Sequence, residues 1–173
     1  MSHNKGTYII PLQSLLEGVH EIAYKIDKEF IELHNIERMS DVNLEIKIEF
    51  TKRSQVHTLK LFLQGKAEVE CDRCLDPILV KVRNEQTFVV KVGVENDNFT
   101  DSEDVILIAP DDIEIDLSHI LYESLLLALP LKNVHAETKC NKTMLSYLQK
   151  GEKQENKEQH DSRWDSLKNI FEN

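Results

Sequence analysis

Beginning at Val42, apolar and polar residues alternate strictly: Leu44, Ile46, Ile48 and Phe50 fall on one side, Glu45, Lys47 and Glu49 on the other. Only an extended strand sends successive side chains to opposite faces, so this run predicts a half-buried strand. Polar Thr51 to Gln55 then reads as a turn, and His57, Leu59, Leu61 and Leu63 resume the alternation, which pairs the two runs as an antiparallel hairpin. Gly65 reads as a bend or bulge. Ala67, Val69 and Cys71 keep the period, Cys71-Asp72-Arg73-Cys74 interrupts it, and Ile78, Val80 and Val82 lead into Phe88–Val92 as further strand.

The remaining elements gather around this β-region. Tyr8-Ile9-Ile10-Pro11 reads as a short strand, and Leu12 to Gly18 as one helical turn or a loop. Asn96 to Asp104 reads as an acidic loop and Val105–Ile108 as a short strand. A helix follows, capped by Asp116 or Ser118, with Leu117, Ile120, Leu121, Leu125 and Ala128 on one face and Pro130 at its end. Met144, Leu145 and Leu148 suggest another short helix. Together these predict an α+β fold: an antiparallel β-sheet or partly open barrel, a helix packed after the sheet, and a helical C-terminal tail. Residues 1–149 are expected to form a single domain and 150–160 a flexible linker. Residues 161–173 are expected to form an amphipathic segment in which Trp164, Leu167 and Phe171 share a face for docking on the body or binding a partner.

Charge narrows the function classes. The chain carries a net charge of −10, yet Val92 to Leu131 holds ten acids and no Lys or Arg, whereas Lys47 to Lys91 has nine basic residues against six acids. A locally positive face is therefore compatible with an acidic total. Lys81 and Arg83 project from the solvent side of one strand and, with Arg73 and a contribution from Lys52 and Arg53, form the candidate RNA-binding surface. A solubilising surface is the plainer alternative, because the aromatic interleaving of an RNA-stacking platform is missing from this pattern. No apolar run approaches the roughly 18 residues of a membrane span, and no signal peptide is visible, so a cytoplasmic protein is expected. Three cysteines are too few and odd in number for a disulfide framework, which agrees with a reducing compartment.

The sharpest chemical feature is the Cys71-x-x-Cys74 turn, since two thiolates two residues apart between strands can face one metal ion. Cys140, with His135 five residues before it, completes a Cys3His set for zinc; thiols half-buried at a hairpin end are the alternative. A thioredoxin-like reading is weaker, because Asp76-Pro77 and a β-branched run follow where a helix should start. His57 and His119 lie in regular elements, where packing or capping suits them better than ligation. The acids at Asp111, Asp112, Glu114 and Asp116 lack the spacing of a calcium loop and read as a solvated face. No nucleophile elbow or phosphate-cradling glycine loop occurs, and neither an enzyme nor a small-molecule substrate is expected.

These residues accumulate into a resemblance. Cys71-Asp72-Arg73-Cys74-Leu75-Asp76-Pro77, Ile115-Asp116-Leu117 with Tyr122-Glu123, Leu127-Ala128-Leu129-Pro130, Val134-His135 and Cys140-Asn141 resemble, in order and spacing, the YceD family. The opening Ile9-Ile10-Pro11-Leu12 and the closing Asp161 to Lys168 resemble its Bacteroidetes branch. The resemblance implies a role in large-subunit ribosomal RNA accumulation and carries over no catalytic residue; Cys71, Cys74 and Cys140 carry over as site positions. Some relatives have a second cysteine pair after the helix ending in Leu-Pro, where this chain offers His135 and Cys140. The resulting expectation is a noncatalytic assembly factor that binds pre-ribosomal RNA or a ribosomal protein. Set against it are an enzyme of ribosomal RNA processing, either a nuclease or a thiol-dependent catalyst, and an adapter that works through its tail.

Overall fold

A computed structural model describes residues 8–54, 56–93 and 104–155. Its centre is a five-stranded sheet in the order β2-β3-β4-β5-β6, not closed into a barrel. The strands are β2 (Gly18–Ile26), β3 (Met39–Lys52), β4 (Val56–Glu70), β5 (Pro77–Val92) and β6 (Val105–Ile108), which follow the short β1 (Ile9–Ile10). Pairing is antiparallel from β2 to β5, and β6 joins parallel to β5 over Val89–Val92. β1 pairs with β7 (Ile115–Asp116) as a separate two-stranded ribbon. Three helices, α1 (Lys28–His34), α2 (Ser118–Ala128) and α3 (Lys142–Glu155), complete the α+β architecture.

The alternation at Val42 does what a strand period requires. Leu44, Ile46, Ile48 and Phe50 of β3 are buried beside Leu59, Leu61 and Leu63 of β4, and β1, β7, α1 and α2 contribute to the same core. Leu121 and Leu125 of α2 are fully buried, and Ile120 and Ala128 pack at the margin. The Asp116 side chain accepts a hydrogen bond from the Ser118 amide, so Asp116 holds the helix start while Ser118 is its first residue. The helix stops at Leu129, whose extended backbone precedes Pro130.

Three features depart from the period-based expectations. β2 and α1 carry weaker signals: β2 sets half-buried His20, Ile22 and Tyr24 against Val19 and Ala23, and α1 spans seven residues. Asp27 caps α1 at Glu29, and Asn35 closes it in the left-handed conformation. β5 runs unbroken through Asn84 and Gln86, two polar residues on the core side. They are accommodated because the Asn84 amide donates to the Ser124 carbonyl and the Ser124 hydroxyl donates to Gln86, both under α2. Gly65 is neither bend nor bulge: β4 passes through it in register, and the irregularity lies in β3 between Met39 and Asp41. Trp164, Leu167 and Phe171 lie outside the described residues, as do residues 94–103 and residues 156–160 of the stretch read as a linker; α3 extends through the first part of that stretch as far as Glu155.

His57 takes the packing role expected of it. It is 4% exposed on the core side of β4, its ring beside Phe50, and its Nδ1 accepts the Arg53 amide. Burial lowers its pKa below that of a free imidazole. With the folded value depressed, the unfolded chain binds the proton more readily, so this contribution to stability is complete above about pH 6.5 and is lost as pH falls below it. Urea midpoints of the wild type are expected to drop between pH 7.5 and 5.5 more than those of His57→Asn, which keeps an acceptor but cannot titrate. Parallel curves would contradict this assignment.

Candidate metal centre

The β4–β5 hairpin turns through Cys71–Asp76. The Cys71 amide donates to the Asp76 carbonyl, the Leu75 amide donates to the Cys71 carbonyl, and Leu75 adopts a positive φ of 62°. This tight turn aims both sulfurs inward, leaving Cys71 and Cys74 at 0% and 1% exposure. The segment after α2 crosses the same end of the sheet and delivers His135 and Cys140, the latter also buried. All three cysteines are free thiols.

The ligand atoms of Cys71, Cys74, His135 and Cys140 lie within 4.8 Å of one another, and His135 Nδ1 is 3.5 Å from Cys74 Sγ. A tetrahedral ion with Zn–S bonds near ~2.3 Å holds its donors about 3.7 Å apart, so the cluster is close enough to grip a metal ion with small adjustments. The electrostatics favour a cation as well. Burial pushes the Cys71 thiol up, but backbone amides of His135, Arg73 and Cys74 point at its sulfur and bring it down to about 6. Hydrogen bonds to the Cys71 and Cys74 sulfurs raise His135, the attraction a dication would also meet, while burial and then the neighbouring thiols raise Cys140. Three sulfurs and one imidazole are a borderline-soft donor set suited to zinc.

A polar frame around the cluster was not singled out from the sequence. Asp72, inside the Cys-x-x-Cys turn, receives the Asn133 amide at 2.6 Å on one oxygen and the Arg38 guanidinium at 2.6 Å on the other. Its own amide donates to the Asn133 carbonyl. The Asn133 amide and the Arg38 contact hold its carboxyl below the usual range. Asn141, next to Cys140, accepts the Thr143 amide at the start of α3 and reaches toward Asp76 at 3.5 Å. An Asn before a helical run is a legible cap signal, whereas the Asp72–Asn133 clamp joins residues 61 apart and leaves no local trace. Ile78, Val134, Met144 and Leu145 close the apolar side of the cluster.

The other candidate residues separate. Lys81 and Arg83 line one depression of about 550 Å³ on the solvent side of the sheet, with Lys66, Gln64 and Asn43. Arg73 sits in the metal-site turn and does not line it. Lys52 is turned to the Leu12 and Leu15 carbonyls, and His119 pairs with Glu123 on α2 at 3.3 Å. Among the described residues no helix is long and apolar enough to cross a membrane.

No curated protein and no solved structure matches the chain. The model of a family described as large ribosomal RNA subunit accumulation protein YceD matches residues 59–171, a span that takes in most of β4, all of β5 and α2, and all four ligand candidates. The chain therefore belongs to the YceD family.

Proposed function

We propose that this protein is a noncatalytic cytoplasmic factor that supports accumulation of large-subunit ribosomal RNA by binding the precursor RNA, with a zinc ion at Cys71, Cys74, His135 and Cys140 as a structural crosslink. Family membership supports the ribosomal role, and the family description names no reaction. The observation that carries RNA contact is the solvent side of the sheet, where Lys66 and Lys81 stand directly opposite each other with Arg83 two residues on. None of the three makes an ion pair among the described residues. Like charges placed opposite each other are destabilising, so the arrangement suits an anion from outside the chain. The zinc would supply rigidity alone: four protein ligands close its coordination shell and leave no position for substrate.

The Lys81→Glu/Arg83→Glu variant is expected to bind precursor RNA at least tenfold more weakly than the wild type, with a shallower dependence of log affinity on log salt. Equal affinity and an equal salt slope would overturn RNA binding by this face. A second reading, contact with a basic ribosomal protein, draws on the ten acids and absent Lys and Arg between Val92 and Leu131.

A further inference from the structure

The side of the sheet opposite the core is covered by no element among the described residues, and its middle holds one aromatic ring. Phe62 of β4 faces away from Leu61 and Leu63 and is half-buried. Across the strands it stands between Lys47 of β3 and Glu85 of β5. Three adjoining depressions run over this face. One, of about 450 Å³, reaches from Glu21 and Ala23 of β2 to Phe62, and a second, of about 200 Å³, lies between Phe62 and Arg83. The third is the depression at Lys66, Lys81 and Arg83, which shares Glu45, Gln64 and Arg83 with the second. The result is a continuous shallow groove with an aromatic platform along it and a cationic end.

We infer that this groove binds single-stranded RNA, one base stacking on Phe62 and the flanking phosphates meeting Lys66, Lys81 and Arg83. The inference rests on the proposed RNA-binding role and assigns its mode. Four residues of extended chain separate Phe62 from Lys66, about 13 Å, so the ring and the cations can serve neighbouring parts of one strand. Gln64 lies between them in sequence and Asn43 opposite Lys66, and their amides both donate and accept, as a base edge requires. Glu85 opposite Phe62 and Glu45 opposite Gln64 repel phosphate there. Glu85 thus keeps phosphate off the ring, while Glu45, which lines the basic depression as well, leaves the facing Lys66 and Lys81 as its cationic end. A duplex keeps its bases stacked inside and cannot use Phe62, and an acidic polypeptide has no flat base to lay on it.

The test uses fluorescently labelled oligouridine and oligoadenosine of about ten nucleotides, a duplex of equal length and poly-glutamate, with the full chain, Phe62→Leu, Phe62→Tyr and Lys66→Glu/Lys81→Glu. Phe62→Leu is expected to weaken single-strand binding roughly tenfold with an unchanged salt slope, because stacking releases no counterions. Phe62→Tyr is expected to bind like the wild type, and Lys66→Glu/Lys81→Glu to lose both affinity and slope. Melting curves of Phe62→Leu coincident with the wild type exclude unfolding as the cause. If Phe62→Leu binds as tightly as the wild type while the Lys variant weakens, stacking is overturned and the RNA-binding role stands. Preference for the duplex also overturns stacking. If poly-glutamate binds and the oligonucleotides do not, both fall in favour of a protein partner.

Discussion

Purified protein is expected to carry one zinc ion per chain, and Cys71→Ser to carry none. Removing one of four ligands leaves an open, three-donor site, and a structural zinc contributes folding free energy only while its shell is closed. The loss should be local. The β3–β4–β5 core is built from Leu44, Phe50, Leu59 and their neighbours and meets the cysteine cluster through Ile78, whereas Met144 and Leu145 of α3 pack on the cysteine cluster itself. Amides of residues 133–148 are therefore expected to lose hydrogen-exchange protection on the order of 100-fold in Cys71→Ser or after chelation, while those of β3 and β4 keep theirs. Metal analysis and exchange mass spectrometry read the two parts separately. Metal-free wild-type protein, or unchanged protection of residues 133–148 after the zinc is removed, would refute the crosslink.

Gly65→Ala is expected to destabilise the fold by on the order of 4 kcal/mol, at the severe end for a single methyl. At φ +156° a Cβ on residue 65 would fall on the Asn43 carbonyl oxygen and lie 2.9 Å from Leu44 Cα. Both obstacles are backbone of β3, which cannot swing aside as a side chain would. Relief requires β3 and β4 to part where Leu44 and Gly65 are paired, inside the β3–β4 ladder with paired residues on both sides. Gly18 supplies the control, since at φ +139° its added Cβ meets nothing within 4 Å. Gly18→Ala should carry only backbone strain, about 1–2 kcal/mol. Urea denaturation of the two variants checks the contrast, and equal midpoints would refute the close approach.

Gly65 also illustrates why parts of the fold were hidden from the sequence. A glycine within a strand pattern signals either a bulge or a close neighbour, and only the partner strand decides which. The β3–β4 hairpin was legible because nearly every core position from Val42 to Leu63 is large and apolar. β2 was not, since Val19 and Ala23 blur its alternation, and the middle of β5 was not, since Ser124 satisfies Asn84 and Gln86 from a distant helix. The Cys3His cluster was legible as four residue types, because sulfur and imidazole are scarce enough to count. Its Asp72 clamp was not. Phe62 was within reach: the alternation that buries Leu61 and Leu63 sends residue 62 outward, where an aromatic ring is unexpected.

The short reach of β6 has a bearing on solubility. It pairs only with Val89–Val92, so among the described residues β5 has no strand partner on its outer side from Pro77 to Phe88. Such an edge is a template on which another chain can polymerise. Pro77 lacks an amide hydrogen, and Lys81, Arg83 and Glu85 place charge along the edge, the usual guards against aggregation. Lys81 and Arg83 are thus placed to keep copies of the chain apart, and a variant that made both neutral and apolar is expected to aggregate more readily.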